Sequence, residues 1–200
     1  MSFILGITGG IATGKSTAVA HFRQLGFPIV DADLVARAVV RPKTPGLKAV
    51  IDTFGPSLLN EQGALDREAL GKIIFADEEK RKQLNQLLSP FIRQEILRQI
   101  AAAADQPLVV VDIPLLYEAG YEQYMDQVAV VYVPEIIQKQ RLMLRNQLSE
   151  TEAAARIASQ LSIEKKKVRG DIIFDNQGTI TDLTRQIDAW VQHFQETEQS

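Results

Sequence analysis

The residues with the clearest chemical signature lie near the N-terminus, where residues 9–17 read GGIATGKST. This stretch fits the phosphate-binding pattern G-x-x-x-x-G-K-[ST]. Its glycines allow successive backbone N–H groups to point at a polyphosphate, and the start of the next helix adds positive potential. We expect the Lys15 ammonium to reach the β and γ phosphates and the Ser16 hydroxyl to bind Mg²⁺. The predicted nucleotide-binding residues here are Gly10, Ile11, Ala12, Thr13, Gly14, Lys15, Ser16 and Thr17.

Two carboxylates, Asp31 and Asp33, stand on alternate residues between an apolar run and a helical stretch over 34–40. A carboxylate at that point can accept a hydroxyl proton or hold a Mg²⁺-bound water. The alternative for either residue alone is a helix N-cap, a position that Asp favours.

A third carboxylate, Asp112, comes near the end of the apolar run 108–113. A continuous apolar run is typical of a buried parallel strand, and Asp112 would stand at its ligand edge like a Walker B aspartate. An N-cap for the short segment 115–118 is an equal alternative.

Basic residues are concentrated between 135 and 169. A predicted helix over 135–148 carries Arg141 and Arg145 four residues apart and therefore on one face. A capping box at 149–152 predicts a second helix that ends in the lysine run 165–167. Guanidinium groups of such a lid would stabilise the charge of a transferring phosphoryl group. For the lysine run we favour a solvated helix end.

The elements that must position these residues alternate between strands and helices. Apolar runs predict five strands, and the helix between the first two predicts a βαβ unit of a parallel sheet. Strand before and helix after the glycine motif favour a phosphate loop over a simple glycine-rich turn. The predicted strands cover residues 3–7, 27–31, 108–113, 127–133 and 171–174.

No strand pattern occurs between 42 and 104. Helical patterns follow one another there, including a helix that we predict to start at Ser89 with Pro90 in its first turn. The stretch is long for a single crossover, so a helical domain for a second substrate is favoured over ordinary crossover helices.

Composition excludes several classes. With 200 residues and a net charge of −3, the chain has no general attraction to nucleic acid. It has no cysteine and two histidines, which argues against a Cys or His metal site. No stretch approaches eighteen apolar residues, so we expect no membrane span. We expect a cytoplasmic monomer.

The glycine motif alone permits a kinase, a GTPase, a motor or a transporter ATPase. An Asn-Lys-x-Asp guanine motif and a Leu-Ser-Gly-Gly-Gln transporter motif are both missing from the sequence. The D-x-x-G match at 52–55 closes a helical pattern and is discounted. The predicted strand set with its helical insert and arginine-bearing lid instead favours a small-molecule kinase. A kinase for another alcohol and a slowly hydrolysing regulatory ATP-binding module stay open as alternatives.

Several further segments are more specific than the glycine motif, above all Asp-Ala-Asp at 31–33 and Pro-Leu-Leu-Tyr-Glu at 114–118. Together they resemble the dephospho-CoA kinase family from the first strand to the last turn. The matching segments are 8–17, 31–33 with 36–37, 112–118, Arg156 and Ile157 with Gln160, and Asp175 and Asn176 with Gly178.

The resemblance implies transfer of the ATP γ-phosphate to the ribose 3′-hydroxyl of dephospho-CoA, which yields CoA and ADP in the last step of CoA synthesis. It implies a three-layer α/β P-loop kinase fold with a five-stranded parallel sheet, a helical acceptor-binding insert and a helical lid. The corresponding divisions are a core over 1–33, 105–134 and 170–200, an acceptor domain over 34–104 and a lid over 135–169.

The resemblance also implies roles for individual residues. Asp33 becomes the general base and Arg37 holds acceptor or phosphate. Lys15, Arg141 and Arg145 stabilise transferring charge. Asn176 and Gly178 lie near the adenine, Ser16 and Asp112 serve Mg²⁺, and the remaining acceptor-binding residues are Thr8, Pro114, Leu115, Leu116, Tyr117 and Glu118.

Two positions depart from the family pattern. Ala12 replaces a usual glycine, so we expect a slightly different turn in the middle of the loop. Gly170 replaces a usual alanine, and we expect this change to affect little beyond local helix termination.

Overall fold

A computed structural model of the chain describes residues 2–198. Strands and helices alternate as the sequence predicts, with helices alone between the second and third strands. The elements are β1 (Phe3–Gly9), α1 (Lys15–Gln24), β2 (Ile29–Asp31), α2 (Ala32–Ala38), α3 (Pro45–Phe54), α4 (Arg67–Ala76), α5 (Glu78–Ala102), β3 (Leu108–Asp112), β4 (Gln127–Tyr132), α6 (Glu135–Asn146), α7 (Glu150–Ala158), α8 (Ile163–Arg169), β5 (Ile172–Asp175) and α9 (Ile180–Glu198), with 3₁₀ turns at Pro56–Leu58 and Glu122–Tyr124.

The strands form one parallel sheet in the order β2-β3-β1-β4-β5. The predicted five-stranded parallel sheet is therefore confirmed. Ile7 pairs with Asp112 across β1 and β3, and Tyr132 pairs with Asp175 across β4 and β5. Because the strands are parallel and in this register, the residues that follow them meet at one edge. The phosphate loop follows β1 at that edge.

One face of the sheet is covered by α1 and α9. The strands present alternate residues to this face, since side chains of a strand point to opposite sides in turn. Phe22 lies at the centre with no solvent exposure and contacts Phe174 and Trp190 through ring centroids 6.2 and 6.1 Å apart. Leu183 and Ile187 of α9 complete this core.

Close packing on the opposite face requires small residues at two positions. A Cβ atom at Gly6 would lie 2.8 Å from Leu116 Cδ1, and one at Gly170 would lie 2.6 Å from Val130 Cγ2. The expectation that a change at position 170 affects little beyond helix termination is therefore wrong, because Gly170, the C-cap of α8, lies close against Val130 of β4.

Some predicted boundaries differ from the structure. β2 begins at Ile29 and not at Phe27, because Gly26 with φ 90° and the turn after α1 occupy the preceding residues. β5 runs from Ile172 to Asp175. At Asp171 the side chain accepts a hydrogen bond from Val128 N at 2.8 Å. These shifts of one or two residues leave the element order unchanged.

The described residues form two compact units, residues 2–30 with 103–198 and residues 31–102. The second unit is helical, and α5 contacts α2, α3 and α4 within it. Thr44 caps α3 and Asp66 caps α4 through side-chain oxygens. Its role in acceptor binding stays a prediction.

The predicted helix start at Ser89 is wrong. α5 is a single helix of 25 residues that contains Pro90 in its interior. Leu84 is buried before the proline, and Ile96 and Ile100 are buried after it. Tertiary contacts on both sides thus hold the helix together although Pro90 supplies no N–H to its ladder.

No helix within residues 2–198 is long and apolar enough to cross a membrane.

We predict that Pro90→Ala raises the free energy of unfolding by about 1–3 kcal/mol, because it restores a helical hydrogen bond and relieves a ring clash at an exposed position. Urea unfolding followed by circular dichroism measures this change. The matched control is Pro45→Ala, since Pro45 is at the start of α3, where a missing N–H has no cost. An equal gain in both variants would contradict the explanation.

Candidate active site

The phosphate loop has the left-handed backbone angles that its sequence suggests. Gly14 has φ 91° and precedes Lys15, the first residue of α1. A Cβ atom there would also lie 2.1 Å from Asn176 Nδ2, and one at Gly10 would lie 2.1 Å from Gln138 Nε2. Glycine is therefore needed at both positions to let these side chains approach the backbone.

Side chains, several from distant elements, hold the carbonyl oxygens of the loop. The N–H and C=O of a peptide point in opposite directions, so carbonyls bound on the outside leave N–H groups on the inside, except at Ile11, whose N–H donates to Gln160 Oε1. The bonds run to Gly9 O from Lys166 Nζ (3.3 Å), to Gly10 O from Thr13 Oγ1 (2.9 Å), to Ile11 O from Gln138 Nε2 (2.8 Å) and to Thr13 O from Asn176 Nδ2 (2.8 Å).

Lys15 forms an ion pair with Asp112. Both side chains are largely buried, at 18% and 11% exposure, so water screens the pair weakly. Segment 114–120 that follows forms turns and not a regular helix. The structure thus gives Asp112 a partner in the phosphate loop itself.

Residues 135–169, the predicted lid, form three helices and not the two predicted, because the chain breaks after α7 and Ser162 caps α8. The predicted capping box at Ser149 and Glu152 is present. Buried Leu142, Ala153 and Ile157 form a small core against which Ile11 and Ala12 of the phosphate loop pack. The N–H of Ile11 donates to Gln160 Oε1 at 3.0 Å.

Arg141 and Arg145 differ in surroundings although they share a face of α6. Arg141 Nη2 donates to Asn176 O at 2.8 Å, which joins the lid to the β5–α9 turn. Arg145 Nε donates to Asn146 Oδ1 at 2.9 Å and is exposed. Asn176 is buried, so its side chain and its carbonyl connect the loop at Thr13 to Arg141.

The interpretation of the lysine run as a solvated helix end is wrong for Lys166. Its side chain has no solvent exposure, and its ammonium lies 3.0 Å from Glu118 Oε1 and 2.8 Å from Pro114 O. Burial lowers the pKa of Lys166, with Glu118 opposing and Lys15 reinforcing this shift. The neighbouring Lys167 lies 3.9 Å above the ring of Tyr132.

The segment 114–118 is fixed to β1 and to the lid. Thr8 Oγ1 donates to Pro114 O at 3.0 Å, and Glu118 Oε1 accepts from Leu161 N at 2.9 Å. Leu116 is fully buried and Leu115 is exposed. Burial first, and then the charge of Asp171, raises the pKa of Tyr117 to about 12.

Asp31 and Asp33 have different roles in the second unit. Asp31 is the N-cap of α2 and accepts from Leu34 N at 2.9 Å. Asp33 follows in the first turn, and Arg37 lies one turn later on the same exposed face. Among residues 2–198 no hydrogen-bond donor contacts the Asp33 carboxylate. The structure therefore assigns the capping alternative to Asp31 and leaves Asp33 available for proton transfer.

The oxygen donors at the carboxyl edge suit Mg²⁺. No cluster of three or more His, Asp or Glu that could hold a metal occurs within residues 2–198. Mg²⁺ in kinases needs only one or two protein oxygens, since substrate phosphates and water supply the rest. The exposed Ser16 hydroxyl and the Asp112 carboxylate fit this requirement.

A phosphate loop at the carboxyl edge of a five-stranded parallel sheet, with a helical lid packed on it, defines the class of P-loop kinases. A family model described as dephospho-CoA kinase matches residues 3–182. The dephospho-CoA kinase of Enterococcus faecalis is 59% identical over 193 residues, which cover 96% of this chain and 97% of that relative. The chain belongs to the dephospho-CoA kinase family.

Other comparisons agree. The dephospho-CoA kinase of Geobacillus kaustophilus is 44% identical over 189 residues, 94% of either chain. A solved dephospho-CoA kinase from Campylobacter jejuni superimposes with a TM-score of 0.78 at 31% identity and covers 99% of this chain and 100% of that one. A shikimate kinase from Acinetobacter baumannii, at 16% identity and a TM-score of 0.53 over 96% and 94%, shares the fold. The predicted family and fold class are confirmed.

Two residues of the site were missed from the sequence, Gln138 and Lys166. Gln138 is 1% exposed although it is polar and lies on an amphipathic helix. Lys166 stands three residues after Ile163, which is also buried, and so shares the inward face of α8. This spacing was the available signal.

Tyr132 offers a pH test of the packing of α8. Its hydroxyl donates to Glu164 Oε1 at 2.8 Å, and this bond together with burial raises the pKa of Tyr132 to about 12. The folded state then binds more protons than the unfolded state above pH 10. This stabilisation is complete below pH 10 and is lost as pH rises through about 12.

We predict that Tyr132→Phe lowers the tyrosinate absorbance step near pH 12, to which Tyr117 also contributes. Glu164→Gln keeps the phenol but removes the carboxylate, and should move the contribution of Tyr132 to lower pH. An unchanged step in both variants would contradict the contact.

Proposed function

We propose that the chain carries out ATP-dependent phosphorylation of the ribose 3′-hydroxyl of dephospho-CoA, in the cytoplasm and as a monomer, with the residues named below. The observation that carries the proposal is the phosphate loop with its carbonyl oxygens held outward. Its inward N–H groups and the start of α1 suit the phosphates of ATP. Membership of the dephospho-CoA kinase family supports the choice of acceptor.

Lys15 is our candidate for neutralising charge on the transferred phosphoryl group. Its partner Asp112 holds the ammonium at the loop before the nucleotide binds. The phosphates then compete with Asp112 for the same ammonium. Mg²⁺, which we propose to be held by Ser16 and Asp112, supplies charge neutralisation at the phosphates when bound.

Asp33 is our candidate for the general base that accepts the proton of the 3′-hydroxyl. Its support is an exposed carboxylate that is not the helix cap, together with the resemblance of Asp-Ala-Asp to the family. Arg37 on the same face of α2 would hold the acceptor or its phosphate. Thr8 and residues 114–118 would line the acceptor side.

The lid residues would exclude water so that phosphate passes to the acceptor and not to water. Arg141 and Arg145 are our candidates for stabilising the transferring charge. Asn176 and Gly178 would lie near the adenine. The contact between Arg141 and Asn176 O supports a link between these two regions.

The direct test is ADP release in the presence of Mg²⁺ and ATP, with and without dephospho-CoA, together with analysis of the product for a new 3′-phosphate. We expect release that depends on dephospho-CoA and yields CoA. Release that ignores the acceptor would instead indicate a P-loop ATPase or a kinase for another substrate.

We predict that Lys15→Ala lowers kcat by about 10²–10³-fold, the effect typical of losing one charge-stabilising donor. Acceptor-dependent ADP release measures it, and circular dichroism checks the fold. The control is Lys72→Ala, which removes an exposed lysine on α4. Turnover that is unchanged in Lys15→Ala would remove the phosphate-loop argument.

For Asp33→Asn we predict that kcat falls by about 10²–10⁴-fold while ATP still binds, as expected for loss of a general base. The matched control is Asp31→Asn two residues earlier. Asn caps a helix as well as Asp, so this variant should keep its activity. Near-normal turnover of Asp33→Asn, or equal loss in both variants, would rule out Asp33 as the base.

A further inference from the structure

The buried ammonium of Lys166 joins three parts of the first unit. It lies 3.3 Å from Gly9 O, where β1 opens into the phosphate loop, and 2.8 Å from Pro114 O, which begins the segment after β3. Glu118 Oε1, 3.0 Å away, neutralises it. An ammonium has three donors, and each has an acceptor here.

Two of these acceptors belong to the proposed reaction site. The Gly9 peptide sets the direction in which the loop leaves the sheet. Pro114 O is fixed a second time by Thr8 Oγ1, at 3.0 Å. Lys15 and Lys166 are close enough for their charges to repel, since Lys15 contributes to the lowered pKa of Lys166. The phosphate loop and segment 114–118 are thus both bonded to one buried cation.

A buried cation is costly unless its partners compensate for lost hydration. The lid could have filled the same volume with an apolar side chain, as α8 does at Ile163. A cation bonded to two carbonyls of different segments does more than fill space, because its bonds of 2.8 Å to Pro114 O and 3.3 Å to Gly9 O hold both segments to one ammonium.

We propose that Lys166 is a positioning residue for phosphoryl transfer, which acts by fixing the Gly9 and Pro114 carbonyls relative to each other. It aligns the phosphate loop with segment 114–118 without touching either substrate. The inference rests on the proposed function, because segment 114–118 matters for alignment only if it lines the acceptor side.

The first test is Lys166→Met, which keeps the length of the side chain and removes the ammonium. We expect kcat for CoA formation to fall about 10–100-fold, the range typical of misaligned reactants, with KM for ATP changed less than about threefold. Lys166→Arg keeps a cation with several donors and should recover part of the loss. The matched control is Lys165→Met on the exposed face of α8, which should behave like the wild type.

The second test separates positioning from stability. Lys166→Met removes the ion pair with Glu118, whose side chain is 23% exposed, and leaves the Gly9 and Pro114 carbonyls without this donor, which lowers Tm. The double variant Lys166→Met with Glu118→Gln also removes the Glu118 charge, while the glutamine oxygen still accepts from Leu161 N. Positioning predicts that the double variant recovers Tm but keeps a kcat about 10–100-fold below that of Glu118→Gln alone, which is the reference because Glu118 belongs to the proposed acceptor side. Recovery of both would overturn the proposal and leave Lys166 a structural residue.

Failure of this inference can be told apart from failure of the proposed function. If wild-type ADP release does not depend on dephospho-CoA, the proposed function fails and the inference with it. If the wild type forms CoA and Lys166→Met keeps a normal kcat, only the positioning role is overturned.

Discussion

The conformation of the phosphate loop depends on the hydrogen bonds that its carbonyl oxygens accept. A loop that points its N–H groups at phosphate must turn its carbonyls outward, and each buried carbonyl needs a donor. Donors come from α6, α8 and the β5–α9 turn, which are all far away in the sequence. The loop is thus a product of the tertiary structure as much as of its glycines. This constraint explains why polar side chains are buried around it and why the lid packs on it.

The distribution of charge follows from the same constraint. Two lysines, Lys15 and Lys166, lie near the proposed phosphate-binding site, and each pairs with a carboxylate. Asp112 and Glu118 come from the same stretch after β3. That stretch therefore neutralises both cations in the absence of a polyanion, which limits repulsion within the first unit. Because Asp112 and Glu118 are close in sequence and pair with Lys15 and Lys166, the two ion pairs hold segment 114–118 next to the loop.

Local sequence patterns were sufficient to predict the strands and the phosphate-loop motif. Runs such as 108–113 are buried along their whole length and therefore apolar without alternation, and the glycine motif has a fixed spacing. Lys166 was missed because a lysine in a run of three resembles a solvated helix end, and only the fold brings Gly9 and Pro114 to it. Asp31 and Asp33 could be distinguished only from the structure, in which Asp31 caps α2. Pro90 was placed at a helix start because packing that spans a proline leaves no local signal.

Ala12 shows the same balance of local and tertiary effects. Its φ of 61° is in the left-handed region, where an alanine costs about 1–2 kcal/mol relative to its usual conformation. Its methyl group packs on the lid core of Leu142, Ala153 and Ile157, and burial of a methyl group is worth about 0.8 kcal/mol. The tertiary contact offsets part of the local cost. The turn thus keeps a glycine-like backbone with alanine, because the lid supplies a surface for the methyl group that the loop sequence alone does not reveal.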